Sequence, residues 1–391
     1  MSEHYTQEDE IAILDMIAKW VDNEVAPIAK EFDHQDKYPH DLVEQMGELG
    51  LFGATIGSEW GGMQLPASIY AKIVIKVASV WMAPGGIFNS HLIQASAIER
   101  CGTREQKQRI LPRMATGELR GGIALTEPNA GTDLQAITTT AVRDGDEYII
   151  NGAKTWITNS LNGNSLAVLV KTDLDINPRY KGTSLFFIET KDSDGHFKSG
   201  IDVIKMRKLG YKSIDTCEVV FSDFRVPASN LIGGEEGQGF FQAIGGLELG
   251  RINVAARGAG IAKGALALAV RYAQEREAFG KPICQHQAIQ LKLGEMAAKV
   301  EASMLLIEQA AAKYDANQRC DMEAGMAKYF ASETGVFCAQ EAMRIFGGYS
   351  YSVEYDIERF YRDAMLMCIG EGTNEMQRMI IAKQLIERHP I

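Results

Sequence analysis

Hydrophobic residues along the first 121 positions recur at the three- and four-residue spacing of helices. Thr6 and Asp9 form a capping-box pattern that marks the start of the first helix. The apolar face that follows contains Ile11, Leu14, Ile17, Val21, Val25, Ile28 and Phe32. Further helices are predicted at residues 40–50, 66–81, 87–100 and 104–117, with loops at Gly57–Gly62 and Pro84–Gly86. Residues 1–121 are therefore predicted to form an α-helical N-terminal domain.

The periodicity changes at Gly121 and Gly122. From there, short runs rich in Thr, Val, Ile, Tyr and Phe alternate with turn signals such as Asn151-Gly152. Strands are predicted at Leu166–Val170, Ser184–Ile188 and Cys217–Phe221. Residues 122–233 are therefore predicted to form an all-β middle domain.

The helical period returns at Gly239 and continues to the end of the chain. The patterns lie near residues 240–275, 285–315, 319–347, 352–363 and 374–388. Long amphipathic helices with short connections indicate a helical bundle, which we place at residues 234–391.

Composition and charge narrow the classes of function. The 391 residues are 46% hydrophobic and 23% charged, with a net charge of −11, which argues against nucleic acid or an anionic membrane as the main partner. Six cysteines without a CxxC pair indicate reduced thiols in a cytoplasmic compartment. The segment Met1–Glu10 differs from a signal or transit peptide, and no apolar run is long enough for a membrane span. The histidine spacings predict no metal site.

One candidate for acid–base chemistry is Glu371, which lies between Gly370 and Gly372. Flanking glycines let the backbone adopt unusual dihedral angles, so the carboxylate can be directed into a cavity. The apolar segment before it would raise its pKa by desolvation, toward the range of a general base. The simpler interpretation is a glycine-rich turn, capped by Thr373, in which Glu371 is solvated.

Two stretches of the β domain could bind a ligand. The loop Leu125–Asp133 is dense in hydroxyl groups and small residues, which offer N–H and O–H donors. In the stretch Lys154–Ser160, Trp156 offers a stacking surface, and Thr158 adds a donor, for a planar heteroaromatic cofactor. The alternative for Trp156 is an aromatic residue in the core of the β domain.

Three features of the C-terminal region also have two interpretations. Arg276, at the end of a predicted helix, either interacts with the helix dipole or binds pyrophosphate. The glycine pair in Arg344–Tyr349 either caps a helix or admits a ligand. The glycines at 258, 260 and 264 do not fit a dinucleotide-binding fingerprint, and we expect them to allow close helix packing instead.

Together these motifs resemble those of the acyl-CoA dehydrogenase family over nearly the whole chain. In order they are TEPNAGTD (126–133), KTWITNS (154–160), FRVPASNLIGGEEGQGF (224–240), ERxAFGKP (275–282), HQAI (286–289), IFGGYSY (345–351) and GEGTNEMQR (370–378). The resemblance implies an α-helical N-terminal domain, a β-barrel middle domain and a C-terminal four-helix bundle, assembled as a homotetramer. It also implies bound FAD, oxidation of acyl-CoA thioesters to 2,3-enoyl-CoA, and transfer of electrons to an electron-transfer flavoprotein.

The resemblance assigns roles to residues by position. Glu371 resembles the base that takes the α-proton while the β-hydrogen leaves as hydride to flavin N5. Residues resembling the family's FAD contacts are Leu125, Thr126, Trp156, Thr158, Arg276, Phe279, Gln287, Arg344, Gly347, Gly348, Thr373 and Glu375. Of these, Arg276, Phe279, Gln287 and the 344–348 loop would reach FAD from a neighbouring subunit. Residues resembling substrate contacts are Thr132, Glu248, Arg251, Gly370 and Gly372.

Three positions depart from the commonest family pattern. Gly370 replaces the aromatic residue that often precedes the base, which leaves space for a branched, cyclic or bulky acyl group. Gly250 occupies the position from which isovaleryl-type members supply their base, and Ala83 the position of the glutaryl-type arginine. The alternatives are an enoyl-CoA reductase, an acyl-CoA oxidase or, least favoured, a non-enzymatic flavin-binding relative.

Overall fold

The computed structural model describes residues 5–245 and 247–391. Its N-terminal region is helical, as predicted, and the Thr6–Asp9 capping box starts the first helix. The helices are α1 (Gln7–Trp20), α2 (Ala26–Gln35), α3 (His40–Glu48), α4 (Ala67–Ala78), α5 (Met82–Cys101) and α6 (Arg104–Ala115).

The loop predicted at Pro84–Gly86 is wrong, because these are the third to fifth residues of α5. A proline is tolerated there, since the first N–H groups of a helix have no intrahelical acceptor. Gly86 is not part of a turn; its missing side chain leaves room for another residue to approach the helix. A Cβ atom at this position would lie 1.5 Å from the hydroxyl oxygen of Tyr211, which comes from the middle domain.

The middle region forms a curled seven-stranded sheet. Its strands are β1 (Gly121–Ala124), β2 (Thr140–Asp144), β3 (Glu147–Thr158), β4 (Ser165–Lys171), β5 (Thr183–Glu189), β6 (Ile201–Lys205) and β7 (Thr216–Pro227). The strand order is β1-β4-β2-β3-β7-β6, and β5 pairs with β4. The pairing of β3 with β7 shifts register between Lys154 and Ile157, which is the segment that contains Trp156. The all-β prediction is confirmed, and among the described residues β1 and β6 are the ends of the strand order.

The C-terminal region is again helical, as predicted. It contains α7 (Gly239–Ile244), α8 (Leu247–Glu275), the short hairpin strands β8 (Glu277–Ala278) and β9 (Lys281–Pro282), α9 (Gln287–Asp315), α10 (Asp321–Phe346), α11 (Ile357–Ile369) and α12 (Asn374–Arg388). The helix expected at 352–363 begins at Ile357 and continues to Ile369, because Ala364 and Met367 extend its buried face.

Helix α8 packs closely against both α10 and α4, as its glycines predict. A Cβ atom at Gly258 would lie 2.8 Å from the carbonyl oxygen of Ala331, and one at Gly264 would lie 2.2 Å from that of Ser79. Small residues on α8 therefore bring the C-terminal helices into contact with the N-terminal domain.

Candidate active site

Glu371 lies in the short loop between α11 and α12. Glu371 has φ +52° and Gly372 has φ +86°. Thr373 caps α12 by accepting a bond from the Met376 N–H. Two consecutive residues with positive φ turn the chain sharply, so the predicted turn is present. The Glu371 carboxylate nevertheless points into a cavity and is not on the outer surface.

Side chains from two other helices contact the carboxylate of Glu371. Arg257 on α8 donates from Nη2 to Oε1 over 3.0 Å, and Asn89 on α5 donates from Nδ2 to the same oxygen over 3.3 Å. Gly250, also on α8, lies so close that a Cβ atom there would be 2.8 Å from Oε2. A side chain at position 250 would thus compete with Glu371 for the same space.

Burial raises the pKa of Glu371 above its ordinary value, although Arg257 and Lys328 act in the opposite direction. Its side chain is 24% exposed, and this surface faces the cavity. A carboxylate with a raised pKa binds a proton more readily, which is the property expected of a general base.

The loop that carries Glu371 is held by hydrogen bonds from Lys328 of α10. The Lys328 ammonium donates to the carbonyl oxygens of Gly372 (2.8 Å) and Cys368 (3.3 Å) and to Oδ1 of Asn374 (2.9 Å). Burial lowers the pKa of Lys328 to about 8. These bonds satisfy the carbonyl groups of a strained turn and hold Glu371 in place.

The cavity in front of Glu371 has a volume of about 920 Å³ and is bounded by all three structural regions. It brings together ten of the residues predicted from the sequence to form the site. They are Leu125, Thr126, Thr132, Trp156, Thr158, Arg251, Gly370, Glu371, Gly372 and Thr373. Glu248 and Glu375 are not among its described lining residues; they lie in the first turns of α8 and α12.

Trp156 is 55% exposed, and its backbone has φ +63° within the irregular part of β3. The alternative of a core aromatic is therefore wrong, and the indole forms part of the cavity wall with Thr158 and Thr126. A large exposed aromatic ring beside hydroxyl groups offers a stacking surface with donors at its edge.

The loop that begins at Thr126 is anchored by a buried ion pair. Glu127 accepts a bond from Lys154 Nζ over 2.8 Å and bonds from the N–H groups of Thr138 and Thr139. Burial alone would raise the pKa of Glu127, but the Lys154 charge and these bonds lower it to about 2. The pair joins this loop to β3 and thus positions Thr126 relative to Trp156.

A second cavity, of about 480 Å³, lies at the C-terminal end of α10. Arg276, Gly347 and Gly348 line it, and Gly347 also caps α10 with φ +62°. Phe279 is 96% exposed at the tip of the β8–β9 hairpin, with φ +55°. The structure does not bring these residues, or Gln287 and Arg344, to the described lining of the Glu371 cavity within one chain. Arg344 instead pairs with Glu341.

Sequence reasoning missed the polar residues around Glu371, namely Arg257, Asn89, Asn253, Tyr70 and Tyr211. One signal was present, since Arg257 is the only charged residue in the otherwise uncharged stretch 252–262 of a buried helix. Tyr211 has φ +55° in a loop and gave no comparable signal.

A cluster of potential metal ligands lies away from the cavity. Asp33, His34 and Glu358 have ligand atoms within 4.8 Å of one another. The Arg362 guanidinium bonds to both carboxylates, to Asp33 over 2.5 Å and to Glu358 over 2.6 Å. This arginine compensates the negative charge, so we interpret the cluster as an ion-pair network.

Comparison with known proteins assigns the family. Models of the N-terminal, middle and C-terminal domains of acyl-CoA dehydrogenases match residues 7–118, 122–224 and 237–386. A Bacillus subtilis acyl-CoA dehydrogenase is 38% identical over 98% of this chain and 99% of its own length. A 3-(aryl)acrylate reductase from Clostridium sporogenes is 36% identical over 98% of this chain and 100% of its own length. The structure of butyryl-CoA dehydrogenase from Megasphaera elsdenii has a TM-score of 0.92 at 35% identity and covers 99% of this chain and 100% of that one. The chain belongs to the acyl-CoA dehydrogenase family.

Proposed function

We propose that the chain oxidises an acyl-CoA thioester to the 2,3-enoyl-CoA, with Glu371 as the base that removes the α-proton. The observation that carries this proposal is the carboxylate of Glu371, which faces a large cavity, has a raised pKa and is held by Arg257 and Asn89. Among the predicted site residues, Glu371 is the carboxylate that lines this cavity.

In this reaction two C–H bonds of the acyl group break and a C=C bond forms. The α-hydrogen leaves as a proton to Glu371, and the β-hydrogen leaves with two electrons. FAD, the cofactor of the family, supplies the hydride acceptor when it is bound. Proton removal next to a thioester creates negative charge on the carbonyl oxygen, so the reaction requires hydrogen-bond donors near that oxygen and the exclusion of water.

The residues of the cavity fit FAD. The exposed indole of Trp156 offers the stacking face for its ring, and Thr158, Thr126 and the neighbouring Leu125 provide contacts at the edge. For the CoA portion we propose Thr132, Arg251 and Glu248. The Arg251 side chain is buried, and its Nε has no hydrogen-bond partner among the described residues. An unpaired buried guanidinium N–H next to the cavity favours an anionic or carbonyl-bearing ligand.

We further propose a homotetramer in which the second cavity completes the cofactor site of a neighbour. This cavity is lined by Arg276, Gly347 and Gly348, and the exposed ring of Phe279 lies on the adjacent hairpin. Gln287 and Arg344 are assigned to the neighbour's cofactor, and Thr373 and Glu375 to contacts near the adenosine end of FAD. Exposed apolar side chains on α9 and α12, such as Leu291 and Ile386, support association between chains.

We propose an electron-transfer flavoprotein as the electron acceptor and the cytoplasm as the location. All six cysteines are free thiols, as expected in a reducing compartment. None of the described helices combines the length and the apolar character that a membrane span needs. The limits of the three domains, 1–121, 122–233 and 234–391, stay predictions.

A second candidate is the reverse reaction, because one relative is a 3-(aryl)acrylate reductase. The same base would then act as an acid and donate its proton to the α-carbon. The reduction potential of the flavin with acyl-CoA bound, and the rate of its reaction with oxygen, separate a dehydrogenase from a reductase and an oxidase.

The substitution Glu371→Gln tests the base directly. Glutamine keeps the shape and can still hydrogen-bond, but it cannot accept the α-proton. We expect the variant to retain FAD and to bind acyl-CoA, with flavin reduction slowed by at least about 10³-fold. Reduction at a rate near that of the wild type would refute the assignment of Glu371.

A further inference from the structure

The end of the cavity next to Glu371 carries a buried positive charge. The side chain of Arg257 is 6% exposed, lines the cavity and lies 3.0 Å from the Glu371 carboxylate. A neutral hydrocarbon chain does not need a cation in this position, and a buried charge is costly unless it is paired.

The other partners of Arg257 are neutral. Its Nε donates to Oδ1 of Asn253 over 3.0 Å, and its Nη1 donates to the Tyr211 hydroxyl over 3.3 Å. Asn253 in turn donates to the hydroxyl of Tyr70. These bonds with the one to Glu371 use three of the five N–H groups of a guanidinium. Among the described residues, Glu371 is the one carboxylate within ion-pair distance of Arg257.

This arrangement creates a problem of charge during the reaction. When Glu371 takes the α-proton it becomes neutral, and Arg257 then lacks an anionic partner in a desolvated site. The Arg257 charge also lowers the pKa of Glu371 and so weakens the base. A second carboxylate shared by the guanidinium would solve both problems, because it would keep the cation paired and raise the pKa of Glu371.

We propose that the substrate itself supplies this carboxylate, so that the chain acts on the mono-CoA thioester of a short dicarboxylic acid. The inference rests on the proposed function and names its substrate class. In a reactive complex the base lies about 3–3.5 Å from the α-carbon, and a charge-assisted hydrogen bond to Arg257 spans about 2.8 Å. Added to the Arg257–Glu371 distance, these place the substrate carboxylate at most roughly 9 Å from the α-carbon. This limit excludes long dicarboxylic chains, and acyl groups of about four to six carbons lie well within it.

Arg257 approaches from α8 and not from α5, where Ala83 occupies the position of the glutaryl-type arginine. Carboxylate recognition would therefore come from a different wall of the cavity. The space left by Gly370 on the same cavity is compatible with a branched dicarboxylic chain.

Matched substrate pairs test the proposal. Succinyl-CoA and butyryl-CoA have the same chain length and differ in the terminal carboxylate, as do glutaryl-CoA and valeryl-CoA. Anaerobic reduction of the bound flavin gives kcat/KM for each. We expect the wild type to prefer the carboxylate member of at least one pair by tenfold or more.

Arg257→Gln keeps hydrogen bonding to Asn253 and Tyr211 but removes the charge. It should lower kcat/KM for the preferred dicarboxylic thioester by about 100-fold more than for its methyl-terminated partner, in addition to any loss, shared by both thioesters, from the weaker hold on Glu371. Arg359→Gln is the control, since Arg359 is an equally buried arginine that bonds to the Val80 carbonyl away from the cavity. It should leave the substrate ratio unchanged.

A wild-type preference for the methyl-terminated member of both pairs overturns the proposal, even if the Arg257 variant fails to fold. An equal loss on both members of a pair in Arg257→Gln also overturns it. Failure of the proposed function looks different, because then no thioester of either class reduces the flavin, or Glu371→Gln reduces it normally.

Discussion

Gly250 offers a test of how strictly Glu371, the proposed base, must be positioned. A Cβ atom at this residue would lie 2.8 Å from Oε2 of Glu371 and 3.9 Å from its Cδ. The atom in the way is the end of a flexible side chain and not backbone, so the carboxylate can move aside. We therefore expect Gly250→Ala to impair catalysis with little loss of stability.

The size of the effect follows from the geometry. A carbon–oxygen contact relaxes to about 3.3 Å or more, so the carboxylate must shift by roughly 0.5 Å. A misplacement of 1 Å at a reacting group costs on the order of 100-fold in rate, so a shift of half that size costs about tenfold. Stability should change little, because alanine is favoured over glycine in a helix by about 0.5–1 kcal/mol and offsets the crowding.

The assay is the rate of anaerobic flavin reduction at saturating acyl-CoA, with the FAD content and the midpoint of thermal unfolding measured on the same sample. Gly264→Ala on the same helix is the matched control. Its Cβ atom would lie 2.2 Å from the Ser79 carbonyl oxygen, which cannot rotate away. This variant should lose about 1–3 kcal/mol of stability through overpacking and keep the reduction rate of its folded fraction.

Gly250→Ala should therefore lower the rate of flavin reduction and keep stability, whereas Gly264→Ala should lower stability and keep the rate. If Gly250→Ala reduces the flavin as fast as the wild type, the carboxylate has room to spare and the geometric reasoning is wrong. If it loses as much stability as Gly264→Ala, the contact with Glu371 is rigid, which is equally inconsistent with it.

Four further predictions concern the cofactor, the acyl group and pH. Arg276→Ala should weaken FAD retention and subunit association together, because each stabilises the other by linkage. Loss of FAD from an otherwise unchanged monomer, in the wild type or the variant, would contradict this. Gly370→Tyr should reduce activity on branched or cyclic acyl-CoAs more than on short straight chains, since a Cβ atom there meets only ordinary contacts; an equal loss would assign Gly370 to the backbone of the loop. The pKa of Glu127 is about 2, below its ordinary 4.5, so its contribution to stability is complete above pH 4.5 and is lost as the pH falls toward 2, as acid unfolding can measure. Flavin reduction should rise with pH through the raised pKa of Glu371, and Arg257→Gln should move this midpoint upward because it removes a positive charge.

The parts of the site predictable from sequence are those fixed by local chemistry. The turn at Glu371 follows from its two flanking glycines, and the caps at Thr6 and Thr373 follow from short-range hydrogen bonding. The strand and loop around Trp156 could also be identified from neighbouring residues, but only the three-dimensional structure shows that the Trp156 side chain is exposed. Such features depend on residues within a few positions of one another, so the sequence alone contains most of the information.

The parts that escaped prediction depend on contacts between distant segments. Arg257, Asn89 and Glu371 lie far apart in the chain and meet only when α5 and α8 pack together. The glycine at position 86 suggested a loop, whereas it makes room for the hydroxyl of Tyr211. Gly370 in the Glu371 cavity raises a question of substrate shape, and Phe279 and the second cavity raise one of subunit contact. A single sequence does not answer either question.

The position of Lys328 affects how readily its amine could be acylated by a thioester. A lysine whose pKa is about 8 is partly neutral at physiological pH, and neutral amines attack thioesters. Lys328 lies directly beneath the loop of Glu371, close to where a thioester is proposed to react, yet its side chain has no exposed surface. Its nitrogen faces three oxygen acceptors, which favour the ammonium form, and an ammonium group has no lone pair with which to attack. If the chain turns over a thioester as proposed, the same bonds that hold the turn would protect this amine from acylation by the substrate.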